Sequence, residues 1–135
     1  MINGSCLCGK VKFEITGTPD SLSYCHCSIC RKTSGVFSAV LIGKAQDFQL
    51  IQGQEYISEV PTQPERKFRR CFCNNCGTSL GDMVTGDIYV IAASALDNDP
   101  GIRPTVHIHT ASRPAWYDID DNLKKFEADY IPDKT

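Results

Sequence analysis

Short alternations of apolar and polar residues recur along the chain and predict a succession of β-strands. Residues 10–16 alternate in this way, and the turn-forming residues 17–20 end the strand. Residues 37–42 form a largely apolar run that stops at Gly43. Two further extended segments are predicted at 67–72 and 106–110, and two hairpins are predicted to join 48–52 to 55–58 and 79–84 to 88–93.

Long helical periodicity is absent from the sequence. Residues 120–127 are expected to make one or two helical turns, and residues 61–64 are expected to form a loop. Many short strands punctuated by glycine and proline favour a mainly β fold, a small all-β domain. A chain of 135 residues fits one domain, which we expect at 1–128, followed by a short polar tail at 129–135.

Composition and charge narrow the class of protein. The hydrophobic fraction is 41% and the formal net charge is −2, so a general nucleic-acid binder, which needs a basic excess, is disfavoured. The chain has no apolar run near the roughly 20 residues of a membrane span, and its first residues lack the features of a secretory signal. We therefore expect a cytoplasmic protein without a membrane partner, whose reduced thiols bind metal rather than form a disulfide framework.

The eight cysteines fall into three clusters with the spacing of metal ligands. Thiols two or three residues apart on a turning backbone can point at one centre, and zinc takes thiolate sulfur at about 2.3 Å in a tetrahedron. The clusters are Cys6/Cys8, Cys25/Cys27/Cys30 and Cys71/Cys73/Cys76.

Two cysteine pairs complement each other across the sequence. Cys6 with Cys8, and Cys73 with Cys76, each supply two ligands, which is too few for a tetrahedral zinc. Gly77 permits a sharp turn after the second pair. Together the four thiols predict a structural zinc that ties the N-terminal strand to the middle of the domain.

The remaining cluster predicts a different kind of site. Cys25, Cys27 and Cys30 supply three ligands from six consecutive residues. Three protein ligands with an open fourth position are typical of catalytic zinc. The sequence thus predicts two zinc ions, the second free to take water, a substrate thiolate or a carbonyl oxygen.

Two residues beside the ligands leave alternatives open. Cys71 faces the same side of an extended segment as Cys73, about 6.5–7 Å away, and is expected to be a spectator thiol beside the closed site. It could instead complete the second site as a fourth cysteine or have a redox role. His26 could bind the metal, shuttle a proton, or only form a hydrogen bond behind the ligands, although an extended backbone points it away from them.

Three blocks of the sequence resemble, in order, the glutathione-dependent formaldehyde-activating (GFA) family, which includes the centromere protein V type of domain. The resemblance covers most of the chain, and the combined motif is far more specific than any single CxxC pair. The blocks are 4–11, 25–35 and 70–80, with weaker landmarks at 95–97, 107–109 and Trp116.

This resemblance implies a tent-like all-β zinc fold and carbon–sulfur bond chemistry. It implies the same zinc ligands as the spacing does, with a catalytic-type zinc on the Cys25/Cys27/Cys30 set, whereas a thiol at position 71 departs from the family pattern. The expected function is that of a zinc-dependent carbon–sulfur lyase acting on a thiol adduct such as S-(hydroxymethyl)glutathione. The alternatives are a non-enzymatic zinc-binding interaction module and a metal- or redox-buffering thiol protein.

Glutathione carries two carboxylates, which need cationic or N–H partners. Arg31, Lys32 and Ser34 follow Cys30 closely and are expected to hold the thiol substrate. The alternative is that the two cations compensate the negative zinc–thiolate centre. Compensation is the favoured role for the cations that flank the third cluster, namely Arg66, Lys67, Arg69 and Arg70.

Aromatic and histidine side chains near the C-terminal end are expected to be structural. His107 and His109 share one strand face and could bind a metal as a pair, but the thiols already account for two ions. Trp116 and Tyr117 are expected to be core or rim aromatics rather than the lining of a pocket.

Overall fold

A computed structural model describes residues 1–61 and 67–129 of the chain. These residues form eleven strands, one α-helix and several short 3-10 turns. The strands are β1 Ile2–Ser5, β2 Lys12–Ile15, β3 Ser21–Cys25, β4 Ser38–Lys44, β5 Phe48–Gln52, β6 Ile57–Glu59, β7 Cys71–Cys73, β8 Ser79–Thr85, β9 Ile88–Ala92, β10 Val106–Ile108 and β11 Lys124–Lys125, and the helix is α1 Ser28–Ser34. The predicted loop at 61–64 and tail at 129–135 lie outside the described residues except for their first residue, and the domain boundary at 128 stays a prediction.

The strands form two sheets, so the mainly β prediction is confirmed. One sheet has three antiparallel strands in the order β1-β2-β5. The other has eight strands in the order β11-β10-β3-β4-β9-β8-β7-β6, in which β10 runs parallel to both of its neighbours. Among the described residues, α1 is far too short to cross a bilayer, and no other helix would span one.

The hydrophobic core contains residues from both sheets. Phe13 and Ile15 of β2 are at most 1% exposed, as are Leu41 of β4 and Tyr89 and Ile91 of β9. Because successive strand residues point to opposite faces, the residues between these core positions in the large sheet face away from the core. That outward face carries the cavity described below.

Sequence predictions for five strands hold to within about two residues, at β2, β4, β10 and the two strands of the β8–β9 hairpin. The extended segment predicted at 67–72 becomes regular strand only at Cys71.

The hairpin predicted from 48–52 to 55–58 is wrong. β5 pairs with β2 in the small sheet, whereas β6 pairs with β7 in the large one. The chain changes sheets at Gly53. Its φ of +95° is a backbone conformation that glycine adopts readily. A Cβ added at this position would lie 2.3 Å from the Lys10 carbonyl oxygen. A 3-10 turn at Gln54–Tyr56 then redirects the chain.

The helical turns predicted at 120–127 are also wrong. Lys124–Lys125 instead forms β11, which pairs in parallel with β10. The Phe126 amide donates to the His107 carbonyl at 2.9 Å. The backbone of this segment thus forms hydrogen bonds with the edge of the large sheet. An isolated helix of the same length would be marginally stable.

Candidate functional site

The Cys25/Cys27/Cys30 set lies where β3 ends and α1 begins. Cys25 is the last residue of β3, in register with Ser38 on β4 and Ile108 on β10. Cys27 is the N-cap of α1, and its Sγ accepts a hydrogen bond from the Cys30 amide at 3.3 Å. This cap satisfies one of the amides at the start of the helix. The three Sγ atoms lie within 4.8 Å of one another.

The helix α1 was not predicted from the sequence, because seven residues are too few to show helical periodicity. The available signal was the Cys-x-x-Cys spacing itself. That spacing places the first thiol at the N-cap and the second one turn into the helix.

Hydrogen bonds among the three thiols of this set shift the pKa values of Cys25 and Cys27 in opposite directions. Hydrogen bonds from Cys25 and Cys30 hold the pKa of the Cys27 thiol far below its ordinary value. The hydrogen bond with Cys27, then that with Cys30 and burial, raise the pKa of Cys25. A thiolate flanked by two thiols is the donor set that a soft divalent cation binds when it displaces the remaining protons.

Arg70 contacts this set from the large sheet. Its Nη2 lies 3.4 Å from the Cys30 Sγ, and its Nη1 donates to the Phe68 carbonyl at 2.7 Å. Arg70 was predicted, with other cations that flank the third cluster, to compensate the negative charge of a zinc–thiolate centre. It lies beside the Cys25/Cys27/Cys30 set. Arg69 is engaged elsewhere, since its Nε donates to the buried Asp82 carboxylate at 2.9 Å, and Arg66 lies outside the described residues.

The second group of thiols joins two distant parts of the chain. The Sγ atoms of Cys6, Cys8, Cys73 and Cys76 all lie within 4.8 Å of one another. Cys6 Sγ accepts from the Val11 amide at 3.2 Å. Four sulfurs on two turns make a closed set with the composition of a structural zinc site.

Burial and hydrogen bonding set the thiol pKa values in this closed set. The Thr78 hydroxyl lowers the pKa of Cys76 to about 5. Burial raises the pKa of Cys73 to about 11, in keeping with its complete exclusion from solvent.

Both donor sets fit zinc, which favours thiolate sulfur and tetrahedral coordination. The closed set offers four sulfurs, and the Cys25/Cys27/Cys30 set offers three. The structure thus brings together every cysteine that the sequence assigned to each metal, and both sets could hold an ion.

Cys71 belongs to neither set. Its side chain is buried, and its Sγ lies 3.7 Å from the Asp82 carbonyl. Burial raises the pKa of this thiol. Cys71 and Cys73 are both buried on β7, as residues two apart on a strand would be, and all eight cysteines are free thiols.

His26 belongs to a buried chain of hydrogen bonds rather than to the sulfur set. Its Nε2 lies 2.8 Å from the His107 Nδ1, and the His107 Nε2 lies 2.8 Å from the Asp121 Oδ2. Both rings are almost fully buried. With a neutral His107 that donates from Nε2 to the carboxylate, the His107 Nδ1 accepts from the His26 Nε2. This chain of hydrogen bonds fixes the ring of His26, the residue between Cys25 and Cys27 in the sequence.

Replacing His107 by phenylalanine is expected to lower the free energy of unfolding by about 1–3 kcal/mol, because the His26 N–H and the Asp121 carboxylate lose their partner. Urea unfolding followed by circular dichroism measures the change. Tyr24→Phe is the matched control, since the Tyr24 ring packs against His107 at a tilt, with centroids 5.2 Å apart, and the phenylalanine ring keeps that contact. Equal losses of unfolding free energy in the two variants would contradict a stabilising role for this chain of hydrogen bonds.

The cavity beside the three-sulfur set has a volume of about 1030 Å³. All three of its cysteines line this cavity, as does Ser34, whose Oγ donates to the Ser79 Oγ at 3.4 Å. Arg31 and Lys32, predicted together with Ser34, are on α1 but are not part of the cavity wall. Arg70 and Lys67 do line it.

Other residues singled out from the sequence have varied surroundings. His109 lines the cavity but does not join His107 in a metal-binding group of the described residues. Trp116 is 71% exposed. The Tyr117 ring is stacked on His26 with centroids 6.0 Å apart.

Comparison with known proteins agrees with these features. The sequence model of the family described as "Glutathione-dependent formaldehyde-activating enzyme" matches residues 1–112. A Halomonas elongata protein named "Putative glutathione-dependent formaldehyde-activating enzyme" is 32% identical over 129 residues, covering 89% of this chain and 82% of that protein. A crystal structure of a Rhodobacter sphaeroides protein shares the fold, with a TM-score of 0.58 and 22% identity over 76% of this chain and 91% of that one.

Proposed function

Because this chain belongs to the glutathione-dependent formaldehyde-activating enzyme family, we propose that it is a zinc-dependent carbon–sulfur lyase acting on a thiol adduct such as S-(hydroxymethyl)glutathione. The observation that carries the proposal is the set of Cys25, Cys27 and Cys30 on a cavity wall, to which the described residues add no fourth ligand. Three protein ligands facing open space are typical of a catalytic metal, whereas the closed set is typical of a structural one.

Zinc bound to the three sulfurs would supply a soft centre that keeps a substrate thiol deprotonated at neutral pH. The proposed reaction breaks the carbon–sulfur bond of the adduct, and the electron pair stays on sulfur. The adduct hydroxyl loses its proton as the carbonyl forms. The products are an aldehyde, a thiolate and a proton, so no oxidant or reductant is needed.

Arg70 is the described cation best placed to assist this step. Its guanidinium is held by the Phe68 carbonyl and lies beside the Cys30 Sγ. In the proposal it offsets the negative charge of the thiolates and attracts the anionic thiol. Substrate contacts by Arg31 and Lys32 stay a prediction, as does the contact by Ser34, which alone of these three lines the cavity.

X-ray absorption at the zinc edge, with and without glutathione, tests the proposal. The average number of sulfur ligands per zinc is expected to rise from about 3.5 to about 4 when glutathione is added, because only the three-sulfur set has room for another. Exchange spectroscopy by NMR, corrected for the uncatalysed reaction, measures turnover of the adduct. Unchanged coordination together with no turnover above background would reject the lyase.

An Arg70→Ala variant is expected to lose roughly tenfold to a hundredfold in kcat/KM, because hydrogen bonds to charged groups are worth about 1.5–3 kcal/mol. The zinc content should remain two per chain. Arg103→Ala is the matched control, since Arg103 is exposed and pairs with Asp99 away from the cavity. A loss of the same size in both variants, or in neither, would contradict the role given to Arg70.

A further inference from the structure

The floor of the cavity is the outward face of the large sheet, which carries serines on β3 and aliphatic side chains on β4 and β9. Starting from Cys25, the next outward position on β3 is Ser23, which is flanked by Val40 on β4 and Val106 on β10. One step further along β4, Ile42 lies beside Val90 of β9. The aliphatic side chains at these four positions all line the cavity.

Strand geometry gives the length of this floor. Residues two apart on one face are separated by about 6.5–7 Å. The aliphatic surface therefore begins about 7 Å from Cys25 and extends to about 13 Å from it. Val40, Ile42 and Val90 are half-buried or buried neighbours on β4 and β9, so they form an apolar strip that leads away from the three sulfurs, whereas Val106 lies across Ser23 from Val40.

A one-carbon aldehyde would leave this strip unused. The cavity volume of about 1030 Å³ lies at the upper end of the roughly 300–1,000 Å³ typical of small-molecule sites. Three cations of its wall, Lys67, Arg69 and Arg70, belong to the segment just before β7, whereas a fourth, Lys124 on β11, pairs with Val106 at the far side of the floor. The cavity therefore offers one region suited to an anionic thiol and another suited to an apolar group attached to its sulfur.

We propose that the adduct cleaved here joins an anionic thiol of the glutathione type to an apolar aldehyde of several carbons, with the aldehyde chain on the strip Val40, Ile42 and Val90. The inference rests on the proposed lyase function and names its substrate class. The reaction is the same cleavage: a thiohemiacetal R–CH(OH)–S–R′ gives the aldehyde R–CHO, the thiolate and a proton.

Calorimetric titration of the zinc-loaded protein with S-methyl-, S-butyl- and S-hexylglutathione tests the assignment without turnover, since these thioethers cannot break down to aldehydes. Affinity is expected to rise about threefold to fourfold for each added methylene, or roughly 200-fold to 1,000-fold over the five methylenes from methyl to hexyl. An affinity that stays within about threefold across the series would overturn the assignment.

Two substitutions locate the effect on the strip. Val40→Thr and Ile42→Thr place a hydroxyl among the aliphatic groups, and each is expected to cut the gain from methyl to hexyl by about tenfold. Ile51→Thr is the matched control, because Ile51 is an exposed β-branched residue of β5 in the other sheet. If the rise in affinity from methyl to hexyl is unchanged in both Val40→Thr and Ile42→Thr, the assignment is also overturned.

Turnover separates this inference from the function on which it rests. If the hydroxymethyl adduct is cleaved but affinity does not change from S-methyl- to S-hexylglutathione, the apolar aldehyde is rejected and the lyase function is retained. Rising affinity without turnover of either the hydroxymethyl or the hexanal adduct would reject the lyase, and the substrate assignment with it. Faster cleavage of the hexanal adduct together with rising affinity would support both.

Discussion

Replacing Cys73 by alanine is expected to remove the cooperative unfolding transition or to lower the free energy of unfolding by more than about 3 kcal/mol. Apparent binding free energies of structural zinc reach about 10–16 kcal/mol in small domains, and that energy stabilises the fold. Cys73 is completely buried and contributes to the closed four-sulfur set. Urea unfolding followed by circular dichroism, together with zinc content by mass spectrometry, measures the effect.

Cys71→Ala provides the control for this variant. Cys71 is buried on the same strand, two residues earlier, but belongs to neither sulfur set. Its loss is expected to cost about 1 kcal/mol, as for an ordinary small change in a core, with zinc content unchanged. If Cys73→Ala were to keep two zinc ions and the unfolding midpoint of Cys71→Ala, the closed set would have no structural role.

Replacing Cys27 by serine should abolish activity while leaving the fold intact. Serine is a good N-cap and can accept the hydrogen bond from the Cys30 amide that Cys27 accepts, so α1 should still form. The alcohol is a poor ligand for zinc, however, and the protein should hold one zinc ion instead of two. We expect kcat/KM to fall by more than about a hundredfold, since changes merely adjacent to metal ligands already cost up to that much.

The matched thiol-to-hydroxyl control for Cys27→Ser is Cys71→Ser. It should retain both zinc ions and at least half of the activity, because Cys71 belongs to neither sulfur set of the described residues. Near-normal turnover by a Cys27→Ser protein with one zinc ion would show that the three-sulfur set is not the reactive centre. The closed set, or no metal at all, would then have to account for the chemistry.

Local sequence patterns were sufficient for the three-sulfur set and for several strands. Cys25, Cys27 and Cys30 are close in sequence, so their convergence depends on a single turn and a helix cap. The strands of the β8–β9 hairpin are joined by a short turn and pair directly. In both cases the physical constraint acts over a few residues, which is the range that alternation and spacing describe.

Long-range placement was not accessible from the same patterns. The contact of Arg70 with Cys30 depends on where β7 lies relative to α1, and the sequence put this cation beside the other cluster. The chain from His107 to Asp121 depends on a parallel strand, β11, at a position where helical turns were predicted. These features depend on sheet order, which a two-residue periodicity does not encode.

The two sulfur sets differ in how much of the polypeptide must be synthesised before each can assemble. The Cys25/Cys27/Cys30 set is complete as soon as residue 30 has left the ribosome. The other set needs Cys76, and Cys8 must find Cys73 across 65 positions, a closure that costs chain entropy. A nascent chain therefore carries all three ligands of the first set long before it carries all four of the second, so the two centres differ in the earliest point of synthesis at which each could form.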